Sequence, residues 1–261
     1  MVKDLFIVLL FISFGAFAQT PNIGFEDGTF NHWDCYIGKI DSVSGYIELN
    51  SSIPVPDRHT MIGKAFKRVV DPYGNFPVRC PNGSQFSVRL GNYEAGAQAE
   101  RLSYTLVVPN KKSYSIVFNY AVVLEDPGHP VQEQPKFTAQ IYDVTDDEYI
   151  TCPYFDFAAS STLPGFKLSA TRGYKGDAIY YKDWSTATIN LRRYLGKKIQ
   201  IMFTTNDCAR VVHFGYAYLD VMESDGNSIT GNSYCQGQRS ATLYAPNGFS
   251  SYEWYTLEVK T

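Results

Sequence analysis

Through the middle of this chain apolar and polar residues alternate with a period of two, and no stretch keeps a helical period of apolar positions over three turns. The alternation runs through residues 86–90, 102–108, 114–123 and 137–144, and it returns at 187–191, 198–203 and 212–221. Successive side chains of a strand point to opposite faces, so each segment can bury one face and leave the other to solvent. Clusters of Gly, Asn, Asp and Pro separate the segments and supply turns. An α/β fold needs helices of about ten or more residues between its strands. The best helical candidate here, 191–195, is little more than a single turn. The expected fold is therefore all-β, a jelly-roll or β-sandwich domain. Aromatic residues make up 15% of the chain, with 20 Tyr and 17 Phe, which suits pleated, half-buried surfaces better than helices.

The amino terminus follows a different logic. Met1-Val2-Lys3 precedes an apolar run over 5–14 and then Gly15-Ala16-Phe17-Ala18, the charged, apolar, small-residue order of a secretory signal peptide. A membrane-spanning helix needs about 20 apolar residues, and this run stops well short. Residues 1–18 are assigned as a signal peptide, which implies a secreted or cell-surface protein without a membrane span. The sandwich is expected over 19–223. After it the sequence turns polar at Ser224-Asp225-Gly226-Asn227, and 224–261 reads as a linker and the beginning of another domain. A formal charge of −3 gives no electrostatic reason to expect nucleic acid or an anionic membrane as partner.

Cys35, Cys80, Cys152, Cys208 and Cys235 all follow the signal segment, in a compartment that permits disulfides. They contain no Cys-x-x-Cys pair, which argues against a zinc site and for one or two bridges plus an odd thiol. Spacing does not fix the pairing; Cys152 with Cys208 is preferred, leaving Cys235 for a partner beyond the end.

Several strings occur together: Asn22-Ile23-Gly24-Phe25-Glu26-Asp27-Gly28 with Trp33, Ser87-Val88-Arg89-Leu90-Gly91-Asn92, Val123-Leu124-Glu125-Asp126-Pro127-Gly128-His129, and His213-Phe214-Gly215-Tyr216-Ala217-Tyr218-Leu219-Asp220. Their combination resembles the amino-terminal jelly-roll-like module of large modular surface proteins, adhesins with immunoglobulin-like or PKD domains, of gliding bacteria that use type IX secretion. The resemblance implies one module of a longer chain. Cys235 followed by Trp254 similarly resembles the opening of an immunoglobulin-like domain. Where that family often has glycines before the histidine, this chain has Val211-Val212. The opening Phe25-Glu26 with Trp33 also resembles jelly-roll carbohydrate-binding modules, in which a Glu near the first strand and an Asp near the last meet at a structural calcium ion. That resemblance places the ion on Glu26 and Asp220, calcium being a cation that takes about six to eight oxygens.

Signals for catalysis are sparse. No Gly-x-Ser-x-Gly elbow and no His-Glu-x-x-His motif occurs. His129 with Glu133, and Asp207 with His213, offer carboxylate–imidazole pairs of the kind that bind metals or move protons, and hydrogen-bonded loop support is the plainer role for both. For Cys208 a disulfide is expected rather than a nucleophilic thiol. Scattered carboxylates do not single out a glycosidase pair.

Trp33, Tyr93, Trp184 and Tyr216 could form an aromatic platform for sugar faces, with Asn92 beside it as a hydroxyl partner, although strand aromatics more often fill cores. Two loop-rich stretches, 124–135 and 154–181, are where a β scaffold would carry variable binding surface. The expectation is a non-enzymatic binding or adhesion module for a surface glycan or protein ligand, with candidate ligand residues Trp33, Asn92, Tyr93, His129, Glu133, Trp184 and His213. The alternatives are a secreted hydrolase acting on polysaccharide or peptide and a spacer without a ligand.

Overall fold

Residues 115–124 have no polar face: every side chain from Ser115 to Leu124 is buried. A strand of this kind has to be covered on both sides, and the rest of the fold shows how. The computed structural model of the chain describes residues 20–111 and 114–224, a few isolated positions after Ser224, and 251–255. Nothing beyond the backbone is described for 152–154. Residues 1–18, where the signal peptide is expected, and nearly all of 225–261, where the immunoglobulin-like start is expected, lie outside the described residues.

Twelve strands form two antiparallel sheets. They are β1 (Trp33–Ile40), β2 (Ile47–Ser52), β3 (His59–Ile62), β4 (Ser87–Leu90), β5 (Gln98–Val107), β6 (Ser115–Asp126), β7 (Lys136–Asp143), β8 (Glu148–Ala158), β9 (Lys167–Leu168), β10 (Ala178–Asn190), β11 (Lys198–Asn206) and β12 (Gly215–Ser224). The first sheet has the order β2-β1-β5-β11-β7-β8 and the second β3-β4-β12-β6-β10-β9. No α-helix occurs among the described residues, and the short helical candidate is a 3₁₀ turn, Arg192–Tyr194. The chain is thus an all-β sandwich, as its alternation indicates.

Between the sheets, Leu102, Leu106, Ile199, Ile201, Phe203, Phe137 and Ile141 meet Ile116, Phe118, Tyr120, Val122 and Leu124. Aromatic rings interlock across the gap: Phe118 lies 5.2 Å from Phe203 and 5.1 Å from Phe155, both edge-on. Trp33 stacks on Phe25 at 4.6 Å, so the amino-terminal segment closes one end of the core.

The outer face of the second sheet is not left to water. Residues 63–86, between β3 and β4, fold across it as a strap, and Phe76 and Val78 pack with Ala121, Val123, Tyr216 and Tyr218 in a second apolar cluster. Asp71 pins the strap. Its Oδ2 accepts the hydroxyls of Tyr216 at 2.6 Å and Tyr218 at 3.0 Å, and its Oδ1 accepts the backbone N–H groups of Tyr73 and Gly74.

The stretch 154–181 is loop-rich, interrupted by the end of β8, all of β9 and the start of β10. Two expectations are corrected here. Tyr216 is covered by the strap and Trp33 by the amino-terminal segment, so neither belongs to an open platform. Cys35, Cys80 and Cys208 are free thiols. Residue 158 pairs opposite residue 136, which in turn pairs with 206, so Cys152 lies about six residues, roughly 20 Å, along the sheet from the end that carries Cys208. A disulfide spans Cα atoms only about 4.4–6.8 Å apart.

Removing the Asp71 carboxylate strands two buried hydroxyls, each worth about 1–3 kcal/mol when left unpaired. Asp71→Ala is therefore expected to lower unfolding stability by about 2–4 kcal/mol in urea titration, while Tyr149→Ala on the exposed surface changes it by about 0.5 kcal/mol or less. Equal losses in the two variants would contradict the role given to the strap.

Candidate functional site

With the second sheet covered, the first sheet has the open face. Opposed residues of antiparallel strands share a face, and register gives the rows. One runs Tyr36, Arg101, Thr204, Thr138 across β1, β5, β11 and β7. Another runs Thr105, Gln200, Tyr142, Tyr149 across β5, β11, β7 and β8. Ser103, Met202 and Gln140 lie between them.

Arg101 is the centre of this surface. Its Nε donates to Thr204 Oγ1 at 2.8 Å, and its side chain is half-buried. Burial draws its pKa below the ordinary arginine value, and the phenols of Tyr149, Tyr36 and Tyr46 are near enough to pull it the other way. Tyr149 and Tyr46 are largely exposed, and the Tyr142 and Tyr149 rings lie 5.1 Å apart. Gln200 Nε2 donates to Ser103 Oγ and Thr105 Oγ1, both at 3.4 Å. Beyond Tyr46 the face continues into a cleft of about 580 Å³ lined by Lys39, Asp41, Glu48, Ala97 and Val211. Such a surface can lay aromatic faces against a flat apolar ligand face and offer hydroxyl, amide and guanidinium groups around it.

Three of the expected ligand residues meet elsewhere, at the end of the sandwich where the loops 127–135 and 207–214 converge. The His129 and His213 rings are 5.3 Å apart. Neither histidine has the carboxylate its spacing suggests. Glu133 pairs with Arg210 at 2.7 Å, and the carboxylate on His213 Nε2 is Asp177, at 2.9 Å. Asp207 turns away to accept the N–H groups of Gln98 at 2.9 Å and Gly215 at 3.4 Å. Burial raises its pKa to about 8. Glu125 ties the end together. One oxygen accepts the Tyr174 N–H and the other the Phe214 N–H at 3.3 Å, and Gly173 packs so tightly on it that a Cβ would stand 1.9 Å from Oε1. Cys208 Sγ faces His213 Nδ1 at 3.1 Å. Thiol, imidazole and carboxylate lie in line, but Cys208 is fully buried, so no substrate reaches its sulfur in this arrangement.

The remaining expected residues are dispersed. Asn92 is buried and shapes a turn, donating to Gln98 Oε1 and accepting the Glu94 N–H. Tyr93 is exposed, with the Arg89 guanidinium 5.7 Å from its ring centre. Trp184 donates to Pro77 O at 2.7 Å and belongs to the strap cluster. Glu26 and Asp220 do come close. Glu26 accepts the Gln85 N–H at 3.0 Å, and Asp220 Oδ2 accepts from Asn82 Nδ2 and, at 2.8 Å, from Ser84 Oγ. Asp220 Oδ1 is buried without a hydrogen-bond partner of ordinary geometry, and the Cys80 thiol stands close enough to the Asp220 carboxylate to favour its charge. Burial pushes the Asp220 pKa up to about 6, and the Glu26 charge adds to the rise.

Tyr36, Arg101, Gln140, Tyr142, Tyr149 and Gln200 were not singled out by sequence reasoning. The usable signal was present in the alternation itself: at its solvent-facing positions this sheet carries Tyr, Arg, Gln and Thr. No protein-family model matches the chain, and no curated protein sequence does. Among solved structures it is similar to a family 61 carbohydrate-binding module in complex with β-1,4-galactotriose (10% identity, TM-score 0.43, over 79% of this chain and 97% of that one). A family 27 module of Caldicellulosiruptor saccharolyticus with mannohexaose gives 14% and 0.38 over 77% and 93%. The K1 adhesin domain of Lys-gingipain from Porphyromonas gingivalis gives 14% and 0.29 over 65% and 92%. These are likenesses of the sandwich.

Because the folded-state pKa of Asp220 exceeds the ordinary value near 3.9, its proton favours folding. That contribution is present below about pH 4 and is lost as pH climbs through about 6. In metal-free buffer, thermal melts are expected to show Asp220→Asn gaining on the wild type across this window. A difference that does not change with pH would contradict it.

Proposed function

We propose that the chain is a secreted, non-enzymatic glycan-binding module of a cell-surface adhesin, and that it engages its ligand on the outer face of the first sheet. The observation that carries the reading is the half-buried Arg101 among the phenols of Tyr36, Tyr46 and Tyr149 on the one sheet face that no strap covers. Tyrosines supply flat, amphipathic area at little entropic cost. Arg101, Gln140 and Gln200 supply donors, and Thr138 and Thr105 supply hydroxyls able to donate or accept. A surface rich in neutral hydrogen-bonding groups and rings matches a polyhydroxylated ligand better than a strongly charged one. The signal segment and the resemblance to type-IX-secreted modular adhesins support placing this module outside the cell and within a longer chain.

The Glu26–Asp220 pair suits a structural calcium ion, because Asp220 Oδ1 is buried without a hydrogen-bond partner of ordinary geometry and the Glu26 charge is close enough to act on the Asp220 carboxylate. Those two side chains would hold the ion and join the amino-terminal segment to β12. Its role is to stabilise the fold, remote from the ligand face.

A panel of neutral and acidic oligosaccharides, titrated calorimetrically against the purified protein, tests the main reading. Tyr149→Ala and Arg101→Ala are expected to weaken the best ligand at least tenfold, with Val131→Ala in the 127–135 loop without effect. Binding that survives both sheet substitutions would overturn the assignment of the face. For the ion, Ca²⁺ is expected to raise the melting temperature of the wild type and not of Asp220→Asn, and an equal rise in both would remove calcium from this site.

A further inference from the structure

The loop end holds a second arrangement that the glycan reading does not use. Cys208 Sγ and one ring nitrogen each of His129 and His213 lie within 4.8 Å of one another. Asp177, 2.9 Å from His213 Nε2, fixes the proton on that nitrogen and leaves Nδ1 unprotonated toward the sulfur. His129 Nδ1 is buried and has no hydrogen-bond partner, a state that costs free energy unless something occupies it. The carboxylate behind a ligating imidazole is the usual outer support of a metal-bound histidine.

The backbone is bent to make this meeting. Val211 has φ of 74°, left-handed and disfavoured for a β-branched residue. It closes the tight turn in which Val211 N donates to Cys208 O and Cys208 N to His213 O, at 3.2 and 3.0 Å. That turn brings Cys208 and His213 onto one side. Strain of this kind persists where the surroundings over-determine it, and it gathers at ligand sites.

We propose that His129, Cys208 and His213 form a binding site for one borderline-soft transition-metal ion of the zinc class, with Asp177 as the positioning residue for His213. One thiolate and two imidazoles are the donor set such ions prefer, and a fourth position remains for water or a ligand group. Binding releases the thiol proton to solvent as the metal–sulfur bond forms. The absence of a Cys-x-x-Cys pair, which argues against zinc in the sequence, does not exclude a site assembled from two loops. Of the other two clusters among the described residues, Glu125, Asp177 and His213 share His213 with this one and Glu125 already accepts the Tyr174 and Phe214 N–H groups, while Asp143, Asp146 and Glu148 are served by Lys197, which contacts Asp143 at 2.9 Å and Asp146.

The purified full chain, stripped with a chelator and titrated with Zn²⁺ alone, is expected to bind about one ion. Cys208→Ser and His129→Ala are expected to lose at least tenfold in affinity, Asp177→Asn about 10–100-fold, and Asp146→Asn nothing. Loading with Co²⁺ is expected to give a thiolate-to-cobalt charge-transfer band that is absent in Cys208→Ser, and circular dichroism shows whether each variant is folded. No stoichiometric binding, binding unchanged in folded His129→Ala and Cys208→Ser, or a disulfide at Cys208 in the peptide map would overturn the site.

Discussion

The double burial of β6 is the constraint on which the remaining architecture rests. Its inward residues, from Ile116 to Leu124, take the first sheet as partner. Its outward residues, Val117, Ala121 and Val123, are apolar too and have to be covered. The strap of residues 63–86 covers Ala121 and Val123, fastened by one carboxylate that satisfies two tyrosine hydroxyls. A sandwich so built has unequal outer faces. One is a second core, and the other is a ladder of polar and aromatic side chains on β1, β5, β11, β7 and β8.

The end of the sandwich is organised by different means. Buried carboxylates take the place of apolar contacts there: Glu125 holds the 172–177 and 207–214 segments, and Asp207 holds the start of β5 and of β12. Burial raises the pKa of both acids, and each is kept in place by backbone N–H donors. Such hydrogen bonds fix loop geometry more tightly than side-chain packing alone. The polar sheet face and the imidazole–thiol cluster are therefore separate places.

Much of the scaffold was legible in the sequence. The period of two located β4, β5, β7 and β11 within a few residues, because a strand with one buried face writes its burial into the chain, and it caught β6 and β12 although both faces of each are buried. β1, β2 and β8 were harder. Strands β1 and β2 meet through the close approach of Gly38 to Glu48, and β8 shifts register opposite 139–141, which interrupts the pattern. The strap was invisible for another reason: its apolar residues, Phe76 and Val78, have no period and acquire meaning only against β6. For the site residues the limit was pairing. His129, Glu133 and His213 were recognisable as chemistry, but spacing along the chain suggested Glu133 and Asp207 as their carboxylates. The fold supplied Asp177 from a third loop instead. Trp33 and Tyr216 drew attention as rings and turned out to be cores, while Arg101 and Tyr149 looked like ordinary strand surface.

The most direct test is residue-resolved: backbone-amide NMR of the labelled protein, recorded with and without the oligosaccharide that binds it best. The expected shift changes fall on outward positions of β1, β5, β11, β7 and β8, with Arg101, Gln140 and Gln200 among the largest and β6 unmoved. Changes concentrated in residues 127–135 and 207–214, or on the strap, would contradict a ligand face on the first sheet.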